Sequence, residues 1–337
     1  MHCGGDSVLP EGKVPVEILE KLFRNLDLND GRILLGPGPG IDFAAISFGE
    51  RVLVASTDPI TGAVDNIGFY AIHVNANDVA VSGAKPRWFL VTLLLPENSD
   101  EELLLRIMDD IRREAEKLGV SIVGGHTEVT PGLDRPIVIG TMFGDVERGN
   151  LVRPDGARPG DAIVMTKWAG LEGTSIIARE KREELENVFG REFIEKAAAL
   201  VEYISVVPEA MISSRFGVNA MHDPTEGGIA NGLHEMADSS GLGIRIYPEK
   251  IPVREETKAL CEFYGLDPLA LIGSGSLLIA VEKNRAEALV DELQAKGINS
   301  AIIGEFLPEK KRIAVVDGRE QPFPRPQTDE LWKVFKG

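Results

Sequence analysis

Two acidic residues, Asp58 and Asp78, stand where their side chains can converge. Asp58 follows residues 51–55, a β-branched and apolar run that predicts a strand, and Pro59 predicts its end in a polar turn. Asp78 is the one polar member of an apolar series at helical spacing over residues 67–81. If that helix packs over the strand, the carboxylates repel unless a cation such as magnesium lies between them, with phosphate oxygens in its shell. The alternative is that Asp58 caps a turn and Asp78 makes a buried hydrogen bond.

Asp42 and Asp223 occupy similar places in the two halves of the chain. Glycine alternates with proline over residues 36–40, which predicts a loop that delivers Asp42 to the start of a strand. Residues 219–229 predict a strand, an acidic turn containing Asp223, two glycines and a helix. His222 directly precedes that turn, and its role is either structural or functional. Four acidic turns at strand ends predict a shared groove between the halves.

A glycine pair follows another predicted strand. Residues 120–127 are expected to be a buried strand that leads into Gly124 and Gly125 and then His126 and Thr127. Glycines let backbone N–H groups approach phosphate oxygens, and the Thr127 hydroxyl is a further donor. The lysine and the loop length of a P-loop are missing, so a plain turn is the alternative.

Strands and helices alternate in both halves of the chain. The first half predicts helices over 14–28, 67–81 and 99–119 and strands over 51–55, 87–95, 120–127 and 137–146. The second half predicts strands over 161–166, 276–281 and 300–303 and helices over 255–264, 285–296 and 170–216, the last with a break at 207–208. Residues 150–160 are rich in proline and glycine, which predicts domains at 1–150 and 151–325 and a tail at 326–337. The pattern is typical of an α+β protein with two domains.

The composition limits the class of partner. The chain has 337 residues and a formal net charge of −17 without a basic cluster, which argues against nucleic-acid binding; a nucleotide would need metal ions or backbone amides at its site. No run approaches about 20 consecutive apolar residues and the start lacks a signal-peptide layout, so we expect a cytoplasmic protein without membrane contact.

Cys261 lies in an apolar helical pattern typical of a core. Cys3 lies in a glycine-rich segment that is either an inert terminus or a mobile thiol.

Several motifs together resemble the aminoimidazole ribonucleotide synthetase (PurM) superfamily and, within it, the HypE group of hydrogenase maturation factors. The most specific motif is A-N-D-V-A-V-S-G-A at residues 76–84. Others are S-T-D at 56–58, N-I-G at 66–68, G-V-N-A-M-H-D-P-T-E-G-G at 217–228 and L-I-A-V-E-K-N at 278–284. The resemblance extends over nearly the whole chain.

This resemblance implies a two-domain PurM-like fold and a homodimer. The N-terminal sheets would form a barrel across the dimer, the C-terminal domain would be an α/β sandwich, and ATP with Mg²⁺ would lie in a groove lined by both domains. Members of the superfamily phosphorylate an oxygen, often an amide oxygen. Carried over by position, the metal or metal-water ligands are Asp42, Asp58, Asp78 and Asp223. The residues beside the nucleotide are Thr57, Asn77, Gly124, Gly125 and Thr127, and the catalytic candidates are Asp78 and His126.

The chain also departs from the HypE pattern. HypE proteins end in P-R-I-C, whereas this sequence has no cysteine after Cys261. His126 and Glu128 stand where HypE has an acid and a lysine, Ser274 replaces a glutamate, and Glu226 replaces an arginine. His126 is therefore either a metal, phosphate or proton-transfer group or a neutral substitute for the acid. These departures imply that nucleotide binding is retained and that thiocyanate formation on its own tail is lost.

We predict a homodimeric, Mg²⁺-dependent and ATP-dependent enzyme that phosphorylates an oxygen of a small or amide-type acceptor. One alternative is a hydrogenase maturation protein that acts on a carbamoylated thiol, with Cys3 as the candidate outside the core. The other is a non-catalytic nucleotide-binding protein that docks onto a maturation partner.

Overall fold

Six strands build the N-terminal sheet. The computed structural model describes residues 14, 16–24, 26, 28–38, 40–61 and 66–335, so Cys3 lies outside the described residues. The strands are β1 (Ile33–Leu35), β2 (Ala44–Phe48), β3 (Arg51–Ile60), β4 (Lys85–Leu95), β5 (Ser121–Val129) and β6 (Ile137–Glu147). Their order in the sheet is β1-β2-β3-β6-β4-β5, and all neighbours are antiparallel except the parallel pair β4 and β5.

Two helices cover one face of this sheet. The helices of the N-terminal half are α1 (Val16–Phe23), α2 (Ile67–Ala80) and α3 (Glu101–Leu118), and α2 packs on β3 and β6 and against α3. Gly140 and Gly144 permit this approach, because a Cβ at Gly140 would lie 2.4 Å from Asn75 Nδ2 and one at Gly144 2.5 Å from a Val79 methyl group. Alternate residues of β3 and β6 are buried beneath the helices, and those on the opposite face are half-buried or exposed.

The predicted end of β3 and the predicted burial of β5 were wrong. β3 continues through Pro59 to Ile60. β2 pairs with β3 only as far as Ala55, so the missing N–H of Pro59 costs no hydrogen bond to that neighbour. β5 lies at the edge of the sheet and is largely exposed.

Seven strands build the C-terminal sheet. They are β7 (Ala162–Thr166), β8 (Ala220–His222), β9 (Gly243–Ile246), β10 (Leu278–Val281), β11 (Ser300–Leu307), β12 (Arg312–Val316) and β13 (Arg319–Pro322). Their order is β13-β12-β9-β11-β7-β10-β8, with β9 and β12 parallel and the other neighbours antiparallel. Every residue of β7 and β10 is buried, which is expected for strands that are covered on both faces.

The helices of the C-terminal half form two groups. Their bounds are α4 (Leu171–Glu180), α5 (Arg182–Phe189), α6 (Arg191–Ala198), α7 (Val207–Phe216), α8 (Gly228–Ser239), α9 (Glu255–Tyr264), α10 (Ala286–Ala295) and α11 (Leu331–Phe335). α7 and α10 share a core with one face of the sheet, and α8 shares a core with the other. α4, α5, α6, α9 and α11 enclose a third core, which contains the buried Cys261 as expected. The helical region predicted over 170–216, with a break at 207–208, consists of the four helices α4 to α7, and Pro208 lies in the first turn of α7.

The two halves are joined through α2. The first core cluster runs from the N-terminal sheet and α2 to α7 and the inner face of the C-terminal sheet. At this junction the Asn77 amide donates to the carbonyl of Ile204 at 2.9 Å and accepts from the N–H of Val206 at 2.8 Å. Both halves therefore contribute to one core, while the residue numbers predicted for the domain boundaries stay a prediction.

Among the described residues, no single helix combines the length and the apolar character needed to cross a membrane. One bent pair, Arg191–Tyr203 with Val207–Phe216 at 46°, meets that test only when its two parts are taken together.

Candidate functional site

Four aspartates converge where the two halves meet. Asp42 precedes β2, Asp58 lies in β3, Asp78 lies near the end of α2, and Asp223 follows β8. Asp58 and Asp78 share a side-chain hydrogen bond, and the charges of Asp42 and Asp223 also act on Asp78. Ser56 Oγ lies 2.7 Å from Asp78 Oδ2 and 2.8 Å from the carbonyl oxygen of Asp42. The expected convergence of the four carboxylates is therefore present, and their role as metal ligands stays a prediction.

The buried polar side chains of α2 hold this geometry. Asn75 Oδ1 accepts a hydrogen bond from the backbone N–H of Asp58 at 2.9 Å, and Asn75 Nδ2 donates to the carbonyl of Ala71 at 2.9 Å. Asn75, Asn77 and Asp78 are all buried, although they occur in a helix that is otherwise mainly apolar. Because buried polar groups require partners, these contacts fix α2 over the end of β3.

Two of the aspartates, Asp78 and Asp223, have a raised pKa. Burial, followed by the charges of Asp58, Asp223 and Asp42, raises the pKa of Asp78 well above its ordinary value. Burial and then Asp42 likewise raise the pKa of Asp223, against a lowering effect of His222. In addition, Asp223 Oδ1 is buried without a hydrogen-bond partner. An orphaned carboxylate oxygen among convergent carboxylates fits a hard divalent cation such as Mg²⁺.

His222 lies between two carboxylates. Its Nδ1 is 2.9 Å from Asp42 Oδ2 and its Nε2 is 3.0 Å from Glu235 Oε2. Burial alone would lower the pKa of His222, but Asp42 and Glu235 raise it well above the ordinary value. Ligand atoms of Asp42, His222 and Asp223 also lie within 4.8 Å of one another. Glu235 was missed in the sequence, although it is a polar residue on the buried face of α8, the signal that identified Asp78 in α2.

The glycine pair lies apart from the aspartates within one chain. Asp58 pairs with Gly140, Gly140 with Val91, and Val91 with Gly125, so Gly125 is three strands away, roughly 14 Å at the usual strand spacing. A Cβ at Gly125 would lie 1.8 Å from the carbonyl oxygen of Val91, so the sheet itself requires this glycine. The strand-to-turn interpretation of this segment was wrong, because β5 runs through both glycines.

The other residues predicted beside the nucleotide make contacts elsewhere in the chain. His126 and Thr127 lie on exposed β5, and His126 Nε2 contacts Glu128 Oε2 at 3.2 Å. Thr57 points to the face of β3 opposite Asp58 and donates to the carbonyl of Gly140 at 2.7 Å. Asn77 uses its amide to join the two halves. Within one chain, none of these side chains is brought into the aspartate cluster by the described contacts.

A second acidic group lies beside the turn that carries Asp223. The N–H of Gly273 donates to the carbonyl of Thr225 at 3.2 Å, which places Ser274 next to this turn. Ser274 is hydrogen-bonded to Glu172, whose Oε2 is buried without a partner. Burial raises the pKa of Glu172 to about 7, with further increases from Asp329 and Glu226 and a lowering effect of Ser274. A carboxyl group therefore stands beside Ser274, although residue 274 itself carries none.

Asp329 completes this group from the C-terminal segment. Its carboxylate accepts hydrogen bonds from the N–H of Gly227 at 2.6 Å and from the N–H of Leu331 at 2.8 Å. Burial raises the pKa of Asp329 to about 6, and the backbone hydrogen bonds oppose that shift. The start of α8 is thus bonded to an acid from the end of the chain, next to Glu172.

Comparisons with known proteins give matches to both halves of the chain. The AIR synthase related protein, N-terminal domain, matches residues 40–146, and the corresponding C-terminal domain matches residues 158–317. A protein of Methanocaldococcus jannaschii named for hydrogenase expression/formation is 32% identical over 322 residues, 94% of this chain and 92% of that protein. The chain belongs to the AIR synthase related family. A carbamoyl dehydratase HypE of Azotobacter vinelandii is 32% identical over 333 residues, 96% of this chain and 91% of that protein.

Solved structures support this family assignment. A HypE–HypF complex contains a chain with a TM-score of 0.76 and 26% identity, and the match covers 92% of this chain and 99% of that one. A hydrogenase maturation protein HypE in complex with ATP has a TM-score of 0.67 and 25% identity, over 96% of this chain and 98% of that one. The PurM-like fold with two domains is therefore established for this member of the family.

Asp78→Asn tests the repulsion in the aspartate cluster. The folded-state pKa of Asp78 is raised, so wild-type protein without divalent cations loses stability as pH rises above the ordinary carboxyl range. The variant lacks this loss and should exceed the wild type in free energy of unfolding at pH 8 in EDTA, with a smaller difference at pH 5. Mg²⁺ at 100 times its Kd should stabilise the wild type by about 2.7 kcal/mol and the variant far less.

Urea unfolding at pH 5 and pH 8, with EDTA or Mg²⁺, measures both effects. Asp134→Asn, at an exposed acid outside the cluster, is the matched control and should behave as the wild type. Equal stabilisation of wild type and Asp78→Asn by Mg²⁺ would remove Asp78 from the cation site.

Proposed function

We propose that this protein is an ATP-dependent enzyme that phosphorylates the oxygen of an amide-type or carbamoyl-type acceptor. The observation that carries the proposal is the cluster of four aspartates between the two halves, with the orphaned Asp223 Oδ1 inside it. Relatives over more than nine-tenths of the chain are named carbamoyl dehydratase, and a similar structure was solved with ATP. Phosphoryl transfer needs placed metal and phosphate more than covalent chemistry from the protein, which suits such a cluster.

Mg²⁺ and ATP are the proposed cofactor and phosphoryl donor. Asp42, Asp58, Asp78 and Asp223 would hold the cation, which when bound would neutralise charge on the phosphates. Gly124, Gly125 and Thr127 stay candidates for nucleotide contact, as do Thr57 and Asn77. His126 is a weaker candidate for the reacting centre, since roughly 14 Å separates the paired residues of β3 and β5.

Glu172 is the better candidate for proton transfer. With a pKa of about 7, its carboxyl group can both release and accept a proton near neutral pH. In the proposed step the acceptor's amide oxygen attacks the γ-phosphorus, and the bond from that phosphorus to the β,γ-bridging oxygen breaks. ADP leaves, and a proton from the amide nitrogen passes to Glu172. The product is an O-phosphorylated imidate, and loss of phosphate with the second N–H proton gives a nitrile, a net dehydration.

The proposed acceptor is a separate molecule. Cys261, the free cysteine among the described residues, is buried, and burial raises its pKa to about 12, which makes it a poor carrier of a carbamoyl group. The solved HypE–HypF complex contains a relative of this chain assembled with a second protein, HypF. We propose a maturation partner of that kind as one source of the carbamoyl acceptor. A nucleotide-binding protein without turnover is the second candidate, favoured by the absence of an acid at residue 274.

We propose that a homodimer forms through the open face of the N-terminal sheet, which is the face opposite α2 and α3. Trp88, Leu90 and Val123 on β4 and β5 are 38%, 37% and 54% exposed. β5 is also a sheet edge, with backbone groups available for pairing along one side. A second copy covering this face would bury the exposed apolar side chains and close the two sheets into the predicted barrel.

An acceptor assay tests the proposed function. Purified protein with ATP and Mg²⁺ should release ADP when S-carbamoyl-N-acetylcysteine or a simple primary amide is added. Mass spectrometry should detect a product lighter than the acceptor by one water. Tight ATP binding without ADP release for every acceptor in such a panel would contradict the enzyme and favour the nucleotide-binding protein.

Glu172→Gln tests the proton-transfer role. Activity of the wild type should rise with pH through about 7, because the ionised carboxylate is the proton acceptor. The variant should lose this limb of the pH profile, and its kcat should fall about 10²-fold or more with little change in the KM for ATP. Glu180→Gln, at the exposed end of the same helix, is the control. A limb near pH 7 that persists in Glu172→Gln assigns the titration to another group.

Leu90→Asp tests the dimer. A charge on the open face should convert a dimer into a monomer, as measured by light scattering over a range of concentrations. Val316→Asp is a closely matched control, because Val316 is also 37% exposed but lies on β12 of the other sheet. A wild type that is monomeric at every concentration, or a Leu90→Asp variant that stays dimeric, would contradict this interface.

A further inference from the structure

A row of contacting polar side chains, Arg325, Glu235 and His222, leads from the surface to the aspartate cluster. Arg325 Nη2 lies 3.9 Å from Glu235 Oε1, and Glu235 Oε2 lies 3.0 Å from His222 Nε2. His222 Nδ1 then lies 2.9 Å from Asp42 Oδ2. Glu235 and His222 are buried, so these contacts lie in a medium that screens charge poorly.

The row determines how Asp42 faces the cluster. A carboxylate oxygen lies within hydrogen-bond distance of each ring nitrogen of His222, so the ring cannot turn without losing a contact. The bond to Nδ1 occupies Asp42 Oδ2, which leaves Oδ1 as the oxygen that can face a cation. Asp42 lies in a loop, where its own backbone neighbours constrain the side chain less than a helix or a strand would.

The loop that carries Asp42 packs against the turn of α8 that contains Glu235 and Ser239. A Cβ at Gly40, where φ is +67°, would lie 2.7 Å from Ser239 Oγ and 3.4 Å from Glu235 Cβ. Ser239 Oγ in turn donates to the carbonyl of Glu235 at 2.8 Å. Arg325 is fixed from outside by Asn231 Oδ1 at 2.8 Å and by Asp238 Oδ2 at 3.1 Å. The end of β8 and helix α8 from the C-terminal half therefore both contact this loop of the N-terminal half, and Arg325 contacts α8.

We propose that Glu235 is a positioning residue for the cation site: acting through His222, and held from outside by Arg325, it orients the Asp42 carboxylate toward the cation. The inference rests on the proposed function only in requiring that the aspartate cluster binds a divalent cation. Partners that orient a metal ligand typically change metal affinity about 10- to 100-fold when they are removed.

Mn²⁺ affinity, measured by calorimetry on the full chain without nucleotide, tests the proposal. Glu235→Leu removes the acceptor for His222 and should weaken Mn²⁺ binding about 10- to 100-fold. Glu235→Gln keeps an oxygen that accepts from His222 and should restore most of the affinity. Glu180→Leu is the matched control, because it makes the same change at an exposed glutamate at the end of α4 that belongs to none of these contacts. It should bind Mn²⁺ as the wild type does.

A double variant separates positioning from a general structural effect. In an Asp42→Asn background, Glu235→Leu should cause little further loss, because the oriented carboxylate is already gone. Should Glu235→Leu fail to fold, Glu235→Ala takes its place with the same expected direction. The proposal is overturned if a folded Glu235→Leu or Glu235→Ala protein binds Mn²⁺ within about two-fold of the wild type. Equal losses in both backgrounds would also overturn it. A wild type that binds no Mn²⁺ instead refutes the cation site in the proposed function.

Discussion

Repulsion among four clustered carboxylates is the constraint on which this fold depends. Asp42, Asp58, Asp78 and Asp223 come from four separate segments, and burial together with the neighbouring carboxylates raises the pKa of Asp78 and Asp223. Such an arrangement costs folding free energy unless protons or a cation offset it. The fold therefore contains a locally unfavourable site, and such sites are common where a protein binds a charged ligand.

The rest of the structure holds these groups in place from both halves. α2 is buried on nearly all sides, and its polar residues bond to β3 on one side and to the start of α7 on the other. α8 supplies Glu235 and, through the Asp329 contact at its first turn, binds the C-terminal segment beside Glu172. Separation of the two halves would dismantle the proposed cation site, so cation binding there should also stabilise the junction between them.

Periodicity and strand-end acids predicted much of the fold and the four aspartates. Ile67 starts α2 as predicted, and Asp78 was identified because a carboxylate is unusual on an apolar helix face. Two predictions were wrong because they depend on strand pairing between distant segments. Pro59 is tolerated within β3 because β2 stops at Ala55, and β5 is exposed because it lies at a sheet edge. Glu172 was missed because the residues that raise its pKa lie far away in sequence. Local sequence patterns cannot identify neighbours that are brought together only by the fold.

The most direct measurement is anomalous diffraction from crystals grown with Mn²⁺ and a non-hydrolysable ATP analogue. We predict a manganese peak enclosed by the carboxylates of Asp42, Asp58, Asp78 and Asp223, with analogue phosphates completing its coordination. The side chains of the cluster should keep the arrangement that Ser56 and Asn75 impose. Manganese bound elsewhere with no peak at the four aspartates, or an analogue seated away from them, would contradict a cation and nucleotide site at this cluster.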